Sequence, residues 1–162
     1  MILGLSTAQF TGLHVLLSLM GIAAGLLALF GLLGGKLYRL LTTLYLVTTV
    51  LTSVTGFLFP FDHVTPGIIL GILSMIALLL AIWALYIGKL EGRWRGTYVI
   101  SSTLALWFNF FVLIAQSFAK IPALRAIAPS QASPAFGITE AVVLLIFLWL
   151  TVRALKGFDG AA

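Results

Sequence analysis

Apolar residues run along this chain in five long blocks, separated by short breaks rich in glycine, proline and charge. A helix that crosses a bilayer needs about 20 predominantly apolar residues. The blocks therefore predict spans over 7–33, 40–59, 66–88, 97–118 and 134–154. Local signals set several of the boundaries. Ser6 and Gln9 have capping-box spacing, which starts the first span near Thr7, and Gly34-Gly35 ends it. Thr65-Pro66 and Ser133-Pro134 each pair an N-cap hydroxyl with a proline at the first helical position. Between the last two spans, apolar residues around Arg125 predict a short helix over 122–128 lying on the membrane surface and stopped by Pro129. The expected architecture is an all-α, single-domain integral membrane bundle of five transmembrane helices.

Polar residues inside these blocks fall into stripes on a 3.6-residue period. In the first span His14, Ser18, Gly21, Gly25 and Ala28 share one face, and Gly21-x-x-x-Gly25 invites close approach of a neighbouring helix. The second carries Tyr45, Thr48, Thr52 and Thr55, whose hydroxyls can return to carbonyls of the preceding turn. The third carries Gly67-x-x-x-Gly71, Ser74 and a run of Ala77, Ala81, Ala84 and Gly88, all small packing positions. The fourth differs: Asn109, Gln116 and Lys120 line one face of an otherwise apolar helix. An amide or ammonium among acyl tails is costly, so this stripe is expected to turn inward.

Composition fixes the class and the orientation. The 162 residues are 62% hydrophobic and only 8% charged, with a net charge of +5. Lys36, Arg39, Lys89, Arg93, Arg95, Arg153 and Lys156 fall on one side of the predicted spans, and Lys120 and Arg125 on the other. Cytoplasmic loops carry the excess of Lys and Arg, so the N-terminus is expected outside and the C-terminus in the cytoplasm. The basic residues read as topology signals, which removes nucleic acid as a partner. Trp94 among Arg93 and Arg95 reads as an interfacial anchor. No cysteine is present, which excludes disulfides and thiol chemistry. No Lys or Arg precedes the first block and no small-residue cleavage pattern follows it, so that segment is expected to be retained.

With that orientation, His14, Asp62, His63, Gln116, Lys120 and Glu140 all belong to the outer half, and Asn109 lies near the midplane. They predict an outward-facing polar pocket between spans one, four and five, with Asn109 at its floor. Each residue also has a structural role open to it. His14 can bond a neighbouring helix, Glu140 can pair with Lys120 or Arg125, Asp62 can cap a turn, and His63 can sit among headgroups. Asn109 can serve as interhelical glue. Two histidines in unrelated positions form no compact metal or haem motif, and no cofactor is fixed by the sequence. Nor is there a phosphate loop, nucleophile elbow or zincin motif. The favoured expectation is a non-enzymatic site for a small amphipathic or ionic ligand such as a lipid headgroup, quinone or solute. The alternatives are a structural or accessory subunit of a homo-oligomer or larger membrane complex, and a metal- or haem-dependent membrane enzyme.

Two stretches, TSVTGFLFPFD over 52–62 and N-x-F-V-L-x-x-Q-x-F-x-K-x-P-A-L over 109–124, resemble a group of small multi-spanning bacterial inner-membrane proteins. The resemblance includes a histidine early in the first span, matching His14, and implies a bacterial inner-membrane location. It supplies no activity and no catalytic residue. In size and span count the chain is also similar to the tryptophan-rich sensory proteins that bind porphyrins and sterols, but their Trp- and Pro-rich first loop has no counterpart here.

Overall fold

The computed structural model describes residues 1–62 and 64–158. Its helices are α1 (Thr7–Leu33), α2 (Arg39–Phe57), α3 (Pro66–Ile82), α4 (Arg93–Lys120), the short α5 (Pro122–Ile127) and α6 (Pro134–Gly157). Among the described residues, five segments are long and apolar enough to cross a membrane: α1, α2, Pro66–Ile87, α4 and α6. Among the described residues there is no strand, only an isolated bridge between Ile2 and Leu5.

The caps explain most boundaries. Ser6 and Gln9 form a reciprocal capping box, with Ser6 N donating to Gln9 Oε1 at 3.0 Å and Gln9 N to Ser6 Oγ at 3.3 Å. Thr65 Oγ1 accepts from Ile68 N at 3.4 Å ahead of Pro66. Ser133 precedes Pro134 as expected, but its hydroxyl accepts from Ser130 N at 3.2 Å and so closes the turn before the helix rather than capping it.

The third connection departs from expectation. Residues 89–96 read as a loop, yet α4 begins at Arg93. The reversal is short because α3 loosens into a π-helical turn at Trp83–Ile87 and the chain then turns through Lys89, Leu90 and Gly92, all at positive φ. Trp94, already helical, lays its ring over Gly88, where a β-carbon would collide with it. The Arg93 guanidinium lies over that ring, 5.4 Å from its centroid.

The helices alternate in direction, so the bundle has two ends. One carries Gly34-Gly35, residues 88–92 and the end of α6; there Gly35 and Leu33 meet the backbone of Gly157. The other carries the start of α1, the α2–α3 loop and α5. The contiguous apolar core lies wholly toward the first end. It comprises the late part of α1 (Ala24, Leu29, Leu32), early α2 (Tyr45, Leu46), late α3 (Ala77, Leu78, Ala81, Ala84), early α4 (Tyr98 to Leu106) and late α6 (Phe147, Ala154). One half of the bundle is packed solid.

Candidate functional site

The other half holds a cavity of about 640 Å³, open to its surroundings, within the range of about 300–1,000 Å³ that small-molecule sites occupy. Four helices line it. α1 contributes Thr11 to Leu19, α2 Thr52 to Phe57, α3 Gly67 to Ser74, and α4 Phe108 to Lys120. At its inner end the helices are drawn together by glycines. A β-carbon on Gly21 would lie 2.9 Å from Thr49 Oγ1 of α2 and 3.6 Å from Asn109 Nδ2 of α4. One on Gly25 would lie 2.6 Å from Leu106 Cδ1 and 2.8 Å from Tyr45 Cδ2. Absence of a side chain at these two positions lets α1 seat against both neighbours, which closes the floor.

Asn109 sits on that floor, 7% exposed, its Nδ2 donating to Thr49 Oγ1 at 3.5 Å, the outer limit of a hydrogen bond. It is thus interhelical glue and cavity wall at once. Eleven residues further along α4, about 16 Å of helical rise, Lys120 stands exposed at the mouth. Gln116 lines the same wall one turn below it. Across from them His14 Nδ1 is 2.8 Å from Thr55 Oγ1, and its ring meets Phe59 edge-on at 5.3 Å. The Thr55 hydroxyl itself donates to Leu51 O at 2.7 Å. Its one proton is committed there, so His14 Nδ1 carries the hydrogen and donates, which leaves Nε2 as the acceptor.

His14, Asn109, Gln116 and Lys120 therefore come together, each lining this cavity. The other expected members do not. Asp62 is exposed in the α2–α3 loop and lines no part of it, and His63 lies outside the described residues. Glu140 corrects two expectations. It shares a stripe of α6 with Phe136 and Phe147, which pack on Phe111, Phe118 and Phe110 of α4. That stripe turns Glu140 into the α4–α6 seam, away from the cavity. Both carboxylate oxygens are buried with no hydrogen-bond partner among the described residues, so the expected pairing with Lys120 or Arg125 is not made. Trp107 Nε1 on α4 is buried and unpartnered too.

The placement of the cavity is a third correction. It lies between spans one to four rather than one, four and five, because α6 spends its inward face on the aromatic seam with α4. Its walls on α2 and α3, Ser53, Gly67 and Gly71 among them, escaped the sequence reading as site residues. The available signal was Ser74 continuing the Gly67-x-x-x-Gly71 face, which reads equally well as packing. Gly71 does pack, against the Phe57 ring, where a β-carbon would lie 2.8 Å away, whereas one on Gly67 would meet Thr65 Oγ1 at an ordinary 3.7 Å.

Among the described residues no three His, Cys, Asp or Glu side chains gather where a metal could be held. A second hollow of about 330 Å³, on the far side of α4, is bordered by Arg125, Ser130, Gln131 and Phe136. Compared with known protein families, with curated proteins and with solved structures, the chain matches none.

Proposed function

We propose that the protein is a non-enzymatic membrane receptor or carrier whose half-hollow bundle binds one small amphipathic molecule. The observation that carries this reading is the contrast within a single bundle. One half is filled by its own side chains, and the other holds a 640 Å³ space with polar groups at mouth and floor and an apolar waist of Val15, Phe108, Val112 and Leu113. Interiors are normally close-packed, and an open hollow of this size leaves part of its lining without protein contacts. An amphipathic guest restores them. The resemblance to bacterial inner-membrane proteins and the excess of Lys and Arg at the solid end support a bacterial inner membrane, with the N-terminus outside, the C-terminus in the cytoplasm and the cavity opening outward.

The competing reading is a structural subunit that assembles through its glycine faces. It draws less support, since Gly21, Gly25 and Gly71 are each occupied by side chains of the same chain. Native mass spectrometry from a mild detergent separates the two. A receptor or carrier retains a small-molecule adduct, which Asn109→Leu and Gln116→Leu lose while remaining folded. An adduct equally abundant in both variants, or a fixed oligomer with no adduct, contradicts the proposal.

A further inference from the structure

Hydroxyls within the spans mostly satisfy themselves. Thr48, Thr52, Thr55, Ser101, Thr103 and Thr151 each donate to a carbonyl four residues earlier, at 2.6–2.8 Å. This is how a helix in hydrocarbon accommodates such side chains without a partner. Thr42 in the solid half, whose Oγ1 is buried without a partner among the described residues, and Ser18, Ser53 and Ser74 break the pattern; the three serines differ from Thr42 in where they lie. No hydrogen bond joins their hydroxyls to any described residue, and all three line the cavity, from α1, α2 and α3 respectively. Ser53 is 8% exposed and Ser74 5%.

These serines also share a depth. Gly21 meets Thr49 and Asn109, and Ser18 stands one turn from Gly21 as Ser53 does from Thr49. Gly71 meets Phe57, which sets Ser74 opposite the turn of α2 that holds Ser53. Three hydroxyls from three helices thus surround the cavity about one turn above the Asn109 amide. Ser53 and Ser74, and the half-buried Ser18, each offer the cavity a proton that no described residue accepts.

The group that answers this ring must accept hydrogen bonds. It must also be uncharged, because Lys120 lies about 16 Å of helical rise above Asn109, the His14 Nδ1 hydrogen is spent on Thr55 and its Nε2 accepts, and an anion held by hydroxyls alone in so apolar a setting is not compensated. We infer that the inner end of the cavity receives the neutral carbonyl oxygen of an otherwise apolar ligand, which enters oxygen first and leaves its tail toward the mouth. The inference rests on the cavity being a ligand site and narrows the ligand to carbonyl-bearing amphiphiles, the class that includes alkyl quinones and long-chain ketones.

Three probes of matched tail test it by thermal stabilisation of the purified protein: a decyl-substituted benzoquinone, decylbenzene, which lacks the carbonyl, and decanoate, which is anionic. The quinone is expected to stabilise the wild type most. Ser53→Ala with Ser74→Ala should weaken its binding about tenfold, the loss expected when hydrogen bonds to one acceptor are removed. The unliganded melting temperature of the double variant, and the two single variants, verify that folding is unaffected. Decylbenzene matching the quinone, or the quinone binding the double variant as well as the wild type, overturns the carbonyl assignment and leaves the ligand site standing. So does decanoate binding most tightly with loss on Lys120→Gln, which places the head at the mouth. If none of the three stabilises the wild type, the cavity reading itself falls, and this assignment with it.

Discussion

Single side chains carry two consequences that their types alone do not announce. Gly25 is enclosed by Leu106 and Tyr45, both core residues with little room to retreat. Gly25→Ala should therefore destabilise the protein by about 1–3 kcal/mol through overpacking. Gly137→Ala, at a helical position facing open space, should be neutral or stabilising by about 0.5–1 kcal/mol. Thermal unfolding in detergent compares the two directly. Glu140 is the second case. A carboxylate buried at 8% exposure in an aromatic seam, with no partner, contributes cost and no compensating bond. Glu140→Leu should raise the melting temperature, by an amount corresponding to about 1–3 kcal/mol. A drop on the same substitution would mean that Glu140 is paired after all. The sequence offered no way to see this. Periodicity placed Glu140 at the right end of the bundle, but which neighbour α6 presents it to depends on where Phe136 and Phe147 find their aromatic partners.

At the scale of elements, nearly all of the architecture was legible, because the signals are local. Apolar block length gave the five spans, and Ser6-Gln9 and Thr65-Pro66 gave two helix starts that form with the expected hydrogen bonds. The hydroxyl-rich α2 likewise bonds back on its own carbonyls as anticipated. What the sequence concealed was the α3–α4 reversal, where charges at Lys89, Glu91, Arg93 and Arg95 imitate a longer loop. The π turn and the positive φ of Lys89 and Leu90 shorten it. Lys89, exposed with φ 49°, pays steric strain that glycine does not. Lys89→Gly should stabilise the hairpin by about 1 kcal/mol, read as a higher melting temperature. A lower one would show that the lysine side chain makes a contact worth more than the relief.

For the whole molecule, one side of the candidate site was legible and its shape was not. The stripe of Asn109, Gln116 and Lys120, and His14 on α1, were visible because a polar residue in a span has few explanations. The walls from α2 and α3 were not, since serine and glycine there serve packing and binding alike, and the order of helices around a bundle is not written in the period of any one of them. The result is a bundle solid around Tyr45, Leu78 and Leu106 and open around Ser18, Ser53 and Ser74. Because the chain has no cysteine, this division can be read one residue at a time. The direct test is thiol labelling of single-cysteine variants in membranes. Cysteine at Ser53, Ser74 and the half-buried Ser18 should react with a small maleimide, and cysteine at Ser101, Ser102 and Thr103, as buried as Ser53 and Ser74 but in the solid half, should not. Equal protection of all six would mean that the hollow half is closed, and the account of this protein as a cavity-bearing bundle would be wrong.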